Sequence, residues 1–170
     1  HDYLLFFTNR GKVYRLKVYE LPEGSRTAKG RALVNVLPLK DGERVMAVKP
    51  TRDFSEGKFV VFGTKNGMIK KTEFKQYDTP MRADGIIAIK IRKGDEPVQV
   101  RLTSGKDDII MVSASGHAAR FKEKAVRAMG RDTSGVRGMN VSEKGNRVLA
   151  VDVARNLERP VAEMALNIRI

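Results

Sequence analysis

Residues 4–48 read LLFFTNRGKVYRLKVYELPEGSRTAKGRALVNVLPLKDGERVMAV, and this pattern returns twice later in the chain. The copies align on a glycine that follows a polar turn: FFTNRGKVYRL contains Gly11, VFGTKNGMIKKT contains Gly67 and MVSASGHAARF contains Gly116. A lysine or arginine follows each glycine by four residues, and a second glycine follows by 18 or 19. The cations are Arg15, Lys71 and Arg120, and the second glycines are Gly30, Gly85 and Gly135. Offsets kept in this way indicate three internal repeats.

The repeat length favours a propeller-like array. Successive turn glycines are 56 and 49 residues apart (11 to 67 and 67 to 116), close to the length of a propeller blade. Each copy contains four short β-branched or aromatic runs separated by turn signals, which predicts four strands per blade. The predicted strands are Leu4–Thr8, Val13–Lys17, Ala32–Val36 and Val45–Val48 in the first copy; Phe59–Gly63, Met68–Thr72, Ile86–Ile91 and Val98–Leu102 in the second; and Ile109–Ala114, Ala118–Lys122, Val136–Val141 and Val148–Val153 in the third.

Composition favours a folded protein with a polyanionic partner. The chain has 170 residues, 41% of them hydrophobic, and no cysteine, which excludes disulfides and suits a reducing compartment. Lysine and arginine number 33 against 20 acidic residues, a formal charge of +13. Such an excess favours binding to phosphates, since neutralising them releases counterions. We find no signal peptide, membrane span or basic amphipathic helix, so a cytoplasmic protein that binds no membrane is expected.

The cations concentrate beside the first turn of each copy and on the connection between its second and third strands. Because side chains alternate along a strand, Val13, Arg15 and Lys17 share one face, and we expect that face to meet solvent. The connections contain Ser25–Arg31 in the first copy, Met81–Gly85 in the second and residues 121–138 in the third, where Glu123–Met129 could form one helical turn. Acidic residues at Asp95, Glu96, Asp107 and Asp108 are expected at the opposite strand ends, away from the basic edge.

Motifs for catalysis or metal binding are lacking. No His, Asp and Glu cluster has the spacing of metal ligands, and there is no phosphate-binding loop or nucleophile elbow, so neither a metal nor another cofactor is expected. Gly135–Gly138 fits the G-x-x-G of a KH domain, but that motif needs flanking helices where strands are predicted. Aromatic residues make up only 6%, which disfavours a stacking platform for single strands. The function class that the sequence still favours is contact with the backbone of duplex DNA.

The runs FFTNRGKVYRLKVYELPEGSRTAKG and GVRGMNV closely resemble the C-terminal domain of the A subunit of bacterial DNA gyrase. The resemblance covers residues 1–154 and implies an all-β fold, a β-pinwheel, of which this chain holds about three blades of a six-bladed disc. It further implies a non-catalytic domain of an ATP-dependent topoisomerase, whose basic rim binds, bends and wraps duplex DNA to support supercoiling. Implied partners are duplex DNA, the remainder of the same gyrase polypeptide and, through it, the second gyrase polypeptide, the B subunit.

By the same resemblance, the rim positions of the family fall on fourteen cations of this sequence. They are Arg10, Lys12, Arg15, Arg26, Lys29, Arg31, Lys65, Lys70, Lys71, Arg82, Arg120, Lys122, Arg131 and Arg137. The family's Gln-Arg-Arg-Gly-Gly-Lys-Gly box would fall in a blade before His1, and this sequence holds only degenerate counterparts at Ser25–Arg31 and Arg131–Gly138. The equivalent domain of topoisomerase IV, which usually lacks that box, is therefore an alternative. A propeller-like platform for an acidic protein surface is another.

Domain boundaries follow from the repeats. We predict blades at about 1–50, 57–103 and 107–154, with a linker at Lys49–Gly57 between the first two. Residues 155–170 form a tail in which helical and strand periodicities compete, and which lies outside the repeats. Because three blades would leave an open sheet edge, self-association through that edge is also expected. The resemblance implies a bacterial, nucleoid-associated protein.

Overall fold

A computed structural model describes residues 2–55 and 58–155, and these residues form an all-β structure of three antiparallel sheets. The predicted tail, apart from Arg155, lies outside the described residues. The strands are β1 Tyr3–Thr8, β2 Lys12–Lys17, β3 Val45–Thr51, β4 Phe59–Thr64, β5 Met68–Glu73, β6 Ile86–Ile87, β7 Pro97–Thr103, β8 Asp108–Ser113, β9 Ala118–Lys122, β10 Val136–Arg137 and β11 Val148–Ala154. Short 3-10 helices cover Val18–Glu20, Leu33–Asn35, Phe74–Tyr77 and Glu123–Ala125.

Neighbouring repeats exchange strands. The sheets have the orders β3-β1-β2-β6, β10-β5-β4-β7 and β11-β8-β9. Strand β6 belongs to the second repeat but pairs with β2 of the first, with Val13 opposite Ile86. Strand β10 of the third repeat pairs with β5 of the second in the same way, with Ile69 opposite Val136. Each complete sheet therefore has three strands from one repeat and one from the next, and this exchange confirms the predicted β-pinwheel.

Exchange also explains where the predicted strands fail. The sequence predicts a strand at Ala32–Val36, but Leu33–Asn35 is a 3-10 helix with Val34 64% exposed. This segment corresponds to β6 and β10, which pair with the sheet of the preceding repeat, and the described residues contain no sheet before the first. The counterparts β6 and β10 are themselves shorter than predicted.

The predicted linker between the first two repeats is also partly wrong. Strand β3 continues through Lys49 and Pro50 to Thr51, because β1 is long enough to pair with it as far as Tyr3. The expected helical turn at Glu123–Met129 is a 3-10 helix over Glu123–Ala125 only.

Turn glycines let the repeats approach one another. Gly67 has a φ of +82°, and a Cβ there would lie 2.2 Å from the carbonyl oxygen of Met139. The carbonyl of Gly67 accepts hydrogen bonds from the backbone N–H groups of Gly138 at 2.8 Å and Met139 at 3.1 Å. Gly11 contacts Ile89 in the same way. Because only glycine combines this φ with so close an approach, the repeated glycine serves both the hairpin and the joint with the next repeat.

Apolar side chains fill the spaces between successive sheets. Between the first and second sheets, Phe7 meets Phe62 edge-on at a centroid distance of 5.6 Å and Tyr77 at 5.9 Å. Between the second and third, Val61 and Ile69 pack with a cluster that includes Met111. Both faces of the second sheet are therefore covered, so side chains on either face of its strands lose contact with water.

Candidate nucleic-acid interface

Two crossover connections, residues 78–85 and 126–135, carry the chain from its own repeat onto the preceding sheet. The backbone N–H of Met129 donates to the carbonyl of Lys71 at 2.9 Å, and that of Lys90 donates to Thr133 at 3.0 Å. Gly85 closes a turn by donating to the carbonyl of Arg82 at 3.0 Å. The first two bonds hold connection 126–135 against the second sheet and against the segment that follows β6, whereas the third shapes the turn that leads into β6.

The cation four residues after the turn glycine binds the next repeat. In the first sheet, Arg15 lies 3.6 Å from the carboxylate of Asp78 and stacks over Tyr3 and Phe54, at 5.1 and 5.8 Å from the ring centroids. In the second, Lys71 Nζ donates to the carbonyl of Glu123 at 3.0 Å and lies 4.8 Å from the centre of the Phe59 ring.

We call Arg15 and Lys71 the inter-sheet cations, because each binds a residue of the following repeat. The expectation that the Arg15 face meets solvent is wrong, since the Arg15 side chain is only 19% exposed. Its neighbour on that face, Val13, lies in the core between the first two sheets. Lys71 is buried as well, with 5% exposed.

Arg120 has the same offset in the third repeat but a different partner. Its Nε donates to Asp108 within its own sheet at 2.7 Å, and Lys122 contacts the other oxygen of Asp108 at 2.8 Å. The described residues contain no fourth repeat for Arg120 to bind. The hydrogen bonds from Lys122 and Arg120 hold the pKa of the Asp108 carboxyl below its usual value.

Lys70 is fully buried beside Lys71. Its Nζ donates to the carbonyls of Ala88 at 2.6 Å and Arg131 at 2.5 Å, and lies 5.6 Å from the centre of the Phe62 ring. Burial, followed by the charge of Arg131, lowers the pKa of Lys70 to about 7. As placed, neither Lys70 nor Lys71 presents its ammonium group to an external phosphate.

Further sequence-predicted cations form ion pairs at the surface. Lys12 binds Asp84 through both its carboxylate, at 3.0 Å, and its carbonyl, at 2.6 Å, and this contact lowers the pKa of Asp84. Lys65 lies 3.7 Å from Glu96. Ion pairs of this exposure contribute little to stability and reduce the charge offered to a ligand.

The remaining predicted positions keep their guanidinium or ammonium groups accessible. Within the described residues, Arg10 donates to the carbonyl of Asp41, and the half-buried Arg131 donates from Nη1 to the carbonyl of Ile87 at 3.1 Å. The other side chains are exposed and form no hydrogen bond or ion pair within residues 2–55 and 58–155. We name this set the free rim cations: Arg10, Arg26, Lys29, Arg31, Arg82, Arg131 and Arg137.

Carboxylates do not segregate from the basic edge as expected. Asp95 lies beside the second hairpin turn, where it accepts hydrogen bonds from the Thr64 hydroxyl at 2.7 Å and the Asn66 backbone at 2.9 Å. Asp107 instead accepts from the Ser104 backbone at 2.7 Å, next to the 3-10 helix of the third repeat. The carboxylates are placed by the turns that they cap, and such turns occur at both ends of the strands.

Sequence reasoning missed Arg127 and Lys90 as candidates. Arg127 is exposed on the third crossover connection, and Lys90 is exposed next to the point where that connection meets the second repeat. A signal for Arg127 existed, because it lies in the basic stretch before Gly135. Lys90 could be found only once the exchange of strands was known.

Neither a metal site nor a membrane span emerges from the part of the chain that the structure describes. Within it, no three His, Cys, Asp or Glu side chains come together as metal ligands. None of its helices is long and apolar enough to cross a membrane.

Comparison with known proteins places the repeats in one family. Residues 2–52, 58–104 and 107–155 match the family described as DNA gyrase C-terminal domain, beta-propeller. Among curated proteins, the A subunit of DNA gyrase from Escherichia coli (strain K12) is 47% identical over 155 residues, which is 91% of this chain and 18% of that protein. The same protein from Mycolicibacterium smegmatis (strain ATCC 700084 / mc(2)155) is 44% identical over 157 residues, with the same coverage. The chain thus spans less than a fifth of the length of these relatives.

Solved structures share the fold. The C-terminal domain of DNA topoisomerase IV aligns with a TM-score of 0.83 at 33% identity, covering 89% of this chain and 47% of that one. A DNA gyrase A C-terminal domain aligns with a TM-score of 0.70 at 27% identity and the same coverage. The described sheets therefore match about half of each of these domains.

Proposed function

Because the chain belongs to the DNA gyrase C-terminal domain family, we propose that it binds duplex DNA through the free rim cations and bends it, without reading base sequence. The observation that carries the proposal is the placement of these cations. They lie on the turns, connections and exchanged strands of successive repeats, with no carboxylate partner within the described residues. A duplex that follows this rim would meet cations from all three repeats.

Phosphate contact supplies the affinity in this proposal. Guanidinium groups suit phosphate oxygens because they offer several N–H donors in a planar fork, and six of the seven free rim cations are arginines. Such contacts fix the position of a duplex but carry no base information. Bending a site of 20 to 30 base pairs costs about 1–6 kcal/mol, and each additional phosphate reached on the rim offsets part of that cost.

The role within a larger enzyme follows from family membership. We propose that the chain acts as a non-catalytic domain of an ATP-dependent type IIA topoisomerase, joined to the rest of its own polypeptide and through it to the second polypeptide of the enzyme, the B subunit in gyrase. Supercoiling in the bacterial cytoplasm, on nucleoid DNA, would be the process it supports. Curated relatives favour gyrase, whereas the likeness to a topoisomerase IV domain makes topoisomerase IV the second candidate.

A salt titration of binding to a linear duplex of about 40 base pairs, with energy transfer between labelled ends, tests the proposal. We expect tight binding at 50 mM salt, a loss of affinity of roughly 10³- to 10⁴-fold by 200 mM, and closer ends in the complex. An affinity that does not respond to salt would overturn the phosphate-contact mechanism. Binding without a change in end-to-end distance would remove bending from the activity of this chain. Binding to heparin but not to duplex DNA would favour an acidic protein surface as the partner.

A further inference from the structure

Lys70 joins two repeats at the boundary between the first and second sheets. Its Nζ donates to the carbonyl of Ala88, which directly follows the exchanged strand β6, and to the carbonyl of Arg131 on the third crossover connection. Strand β6 is seated on the first sheet, whereas the third connection is seated on the second. A single buried ammonium group therefore holds together two segments that belong to different repeats and different sheets.

Arg131 is held at both ends by this arrangement. Lys70 binds its carbonyl oxygen, and its own Nη1 donates to the carbonyl of Ile87 at 3.1 Å. Since Ile87 and Ala88 are adjacent, the contacts close a ring through Lys70, Arg131 and the end of β6. A backbone bond from Lys90 to Thr133, 3.0 Å long, lies next to this ring. Unlike the other free rim cations, as far as residues 2–55 and 58–155 show, Arg131 has its backbone fixed by a buried side chain.

We propose that Lys70 is a positioning residue for DNA binding, which fixes Arg131 so that its guanidinium meets a phosphate where the first and second sheets join. The inference rests on the proposed function and assigns Lys70 a role that does not involve DNA contact. Without Lys70, Arg131 would keep its charge but lose its fixed place. A phosphate contact made by a mobile arginine is weaker, because the side chain and its loop must be ordered on binding.

The charge of Lys70 makes this role sensitive to pH. The charged and titratable groups around Nζ are Arg131 and Asp132 on the third connection and Tyr77, whose hydroxyl donates to the same Ala88 carbonyl at 3.2 Å. Burial and Arg131 together bring the pKa of Lys70 to about 7. A neutral amine still has two N–H groups for the two carbonyls, but its hydrogen bonds are weaker than those of an ammonium. The hold on Arg131 therefore weakens as pH rises through 7.

The test measures duplex affinity at pH 6.0 and pH 8.5 for four proteins: the wild type, Lys70→Met, Arg131→Gln and the double variant. At pH 6.0 we expect Arg131→Gln to lower affinity about fivefold in the wild type and less than twofold beside Lys70→Met, since positioning is then already lost. The wild type should lose about threefold between the two pH values, and Arg131→Gln should abolish that loss. Groups common to all four proteins contribute equally, so the quantity compared is the difference in pH dependence between the variants.

Lys75→Met serves as the matched control, because Lys75 is exposed and its Nζ has no partner within the described residues. Lys75→Met should change the affinity for the duplex without altering the pH dependence of that affinity. Equal effects of Arg131→Gln in both backgrounds would overturn the proposal. So would a wild-type pH dependence that persists in Arg131→Gln, a comparison that does not require Lys70→Met to fold. A wild type that fails to bind duplex DNA would instead refute the proposed function itself.

Discussion

Neutralising free rim cations and neutralising cations at the repeat offset should have different consequences for DNA binding. The first variant set is Arg26→Gln, Arg82→Gln and Arg137→Gln, one free rim cation from each repeat. The second is Arg15→Gln, Lys71→Met and Arg120→Gln, the three cations four residues after the turn glycines. Both sets remove three positive charges, so a general effect of net charge is matched between them.

The expected difference follows from how many phosphates each set can neutralise. If all seven free rim cations contact phosphates, the slope of log affinity against log salt is about −6.3, a loss of about 6000-fold between 50 and 200 mM. Removing three of them brings the slope to about −3.6 and the loss to about 150-fold. The second set should leave the slope nearly unchanged, because Arg15 and Lys71 bind protein groups and Arg120 is paired with Asp108.

Stability should fall more in the second variant set than in the first. Loss of Lys71 removes a buried donor from the Glu123 carbonyl, and one such loss costs about 1–3 kcal/mol of unfolding free energy. The assay combines fluorescence anisotropy with a labelled duplex at four salt concentrations and urea denaturation followed by circular dichroism. A folded second set whose slope falls as far as that of the first would refute the assignment of inter-sheet contacts. Should the triple variant not fold, Arg15→Gln alone gives the same comparison against Arg82→Gln.

Three further predictions concern stability. Because the pKa of Lys70 falls from 10.5 to about 7 on folding, stability is reduced at low pH and regained as pH rises between these values. The unfolding free energy of the wild type should therefore rise relative to that of Lys70→Met by up to about 1.4 kcal/mol per pH unit. A difference in unfolding free energy between the two proteins that stays the same in urea denaturation at pH 6.5, 7.5 and 8.5 would contradict this. Gly67→Ala should lower the unfolding free energy by at least about 2 kcal/mol, because the position has a positive φ and a Cβ there would meet the Met139 carbonyl. Gly94→Ala should cost about 1 kcal/mol, since Gly94 has a φ of +75° but open space around it. Equal shifts in the denaturation midpoints of the two variants would show that the close approach at Gly67 is unimportant. Phe7→Ala should lower stability by about 3–5 kcal/mol, since Phe7 is 1% exposed between Phe62 and Tyr77, and a shift in melting temperature of under 2 °C would be inconsistent with that packing.

Local sequence rules predicted much of the fold. Alternating residues and a glycine turn specify a hairpin, and all three first hairpins, β1–β2, β4–β5 and β8–β9, lie where the repeats place them. Local rules do not predict which sheet edge a short strand pairs with. Ile86–Ile91 and Ala32–Val36 have similar patterns, yet the start of one is a strand on the preceding sheet and the other is partly a 3-10 helix. Pairing partners depend on tertiary contacts that no local pattern encodes.

The candidate site was less predictable for a related reason. A cation on a strand face is usually assigned to solvent, and the recurrence of Arg15, Lys71 and Arg120 favoured a shared ligand. In stacked sheets both faces are covered, so a recurring cation can equally serve a recurring internal joint. Arg26, Arg82 and Arg131 also recur, each 15 residues after its turn glycine, and these three are free rim cations. Recurrence alone therefore does not separate a constraint of the fold from a binding role, and only the partners of each cation distinguish the two.

Because of strand exchange, the surface beside each complete sheet is formed by residues of the following repeat. The surface beside the first sheet is made by β6 and the connection of the second repeat, and the surface beside the second sheet is made by β10 and the connection of the third. Under the proposed function, the distance between successive phosphate contacts on a bound duplex would be set by the joints between sheets, where Arg15, Lys71 and Lys70 act. Weakening a joint should alter the bend of the DNA while leaving the number of neutralised phosphates, and so the salt slope, almost unchanged. The two readouts separate cations that bind DNA from cations that shape the surface on which it lies.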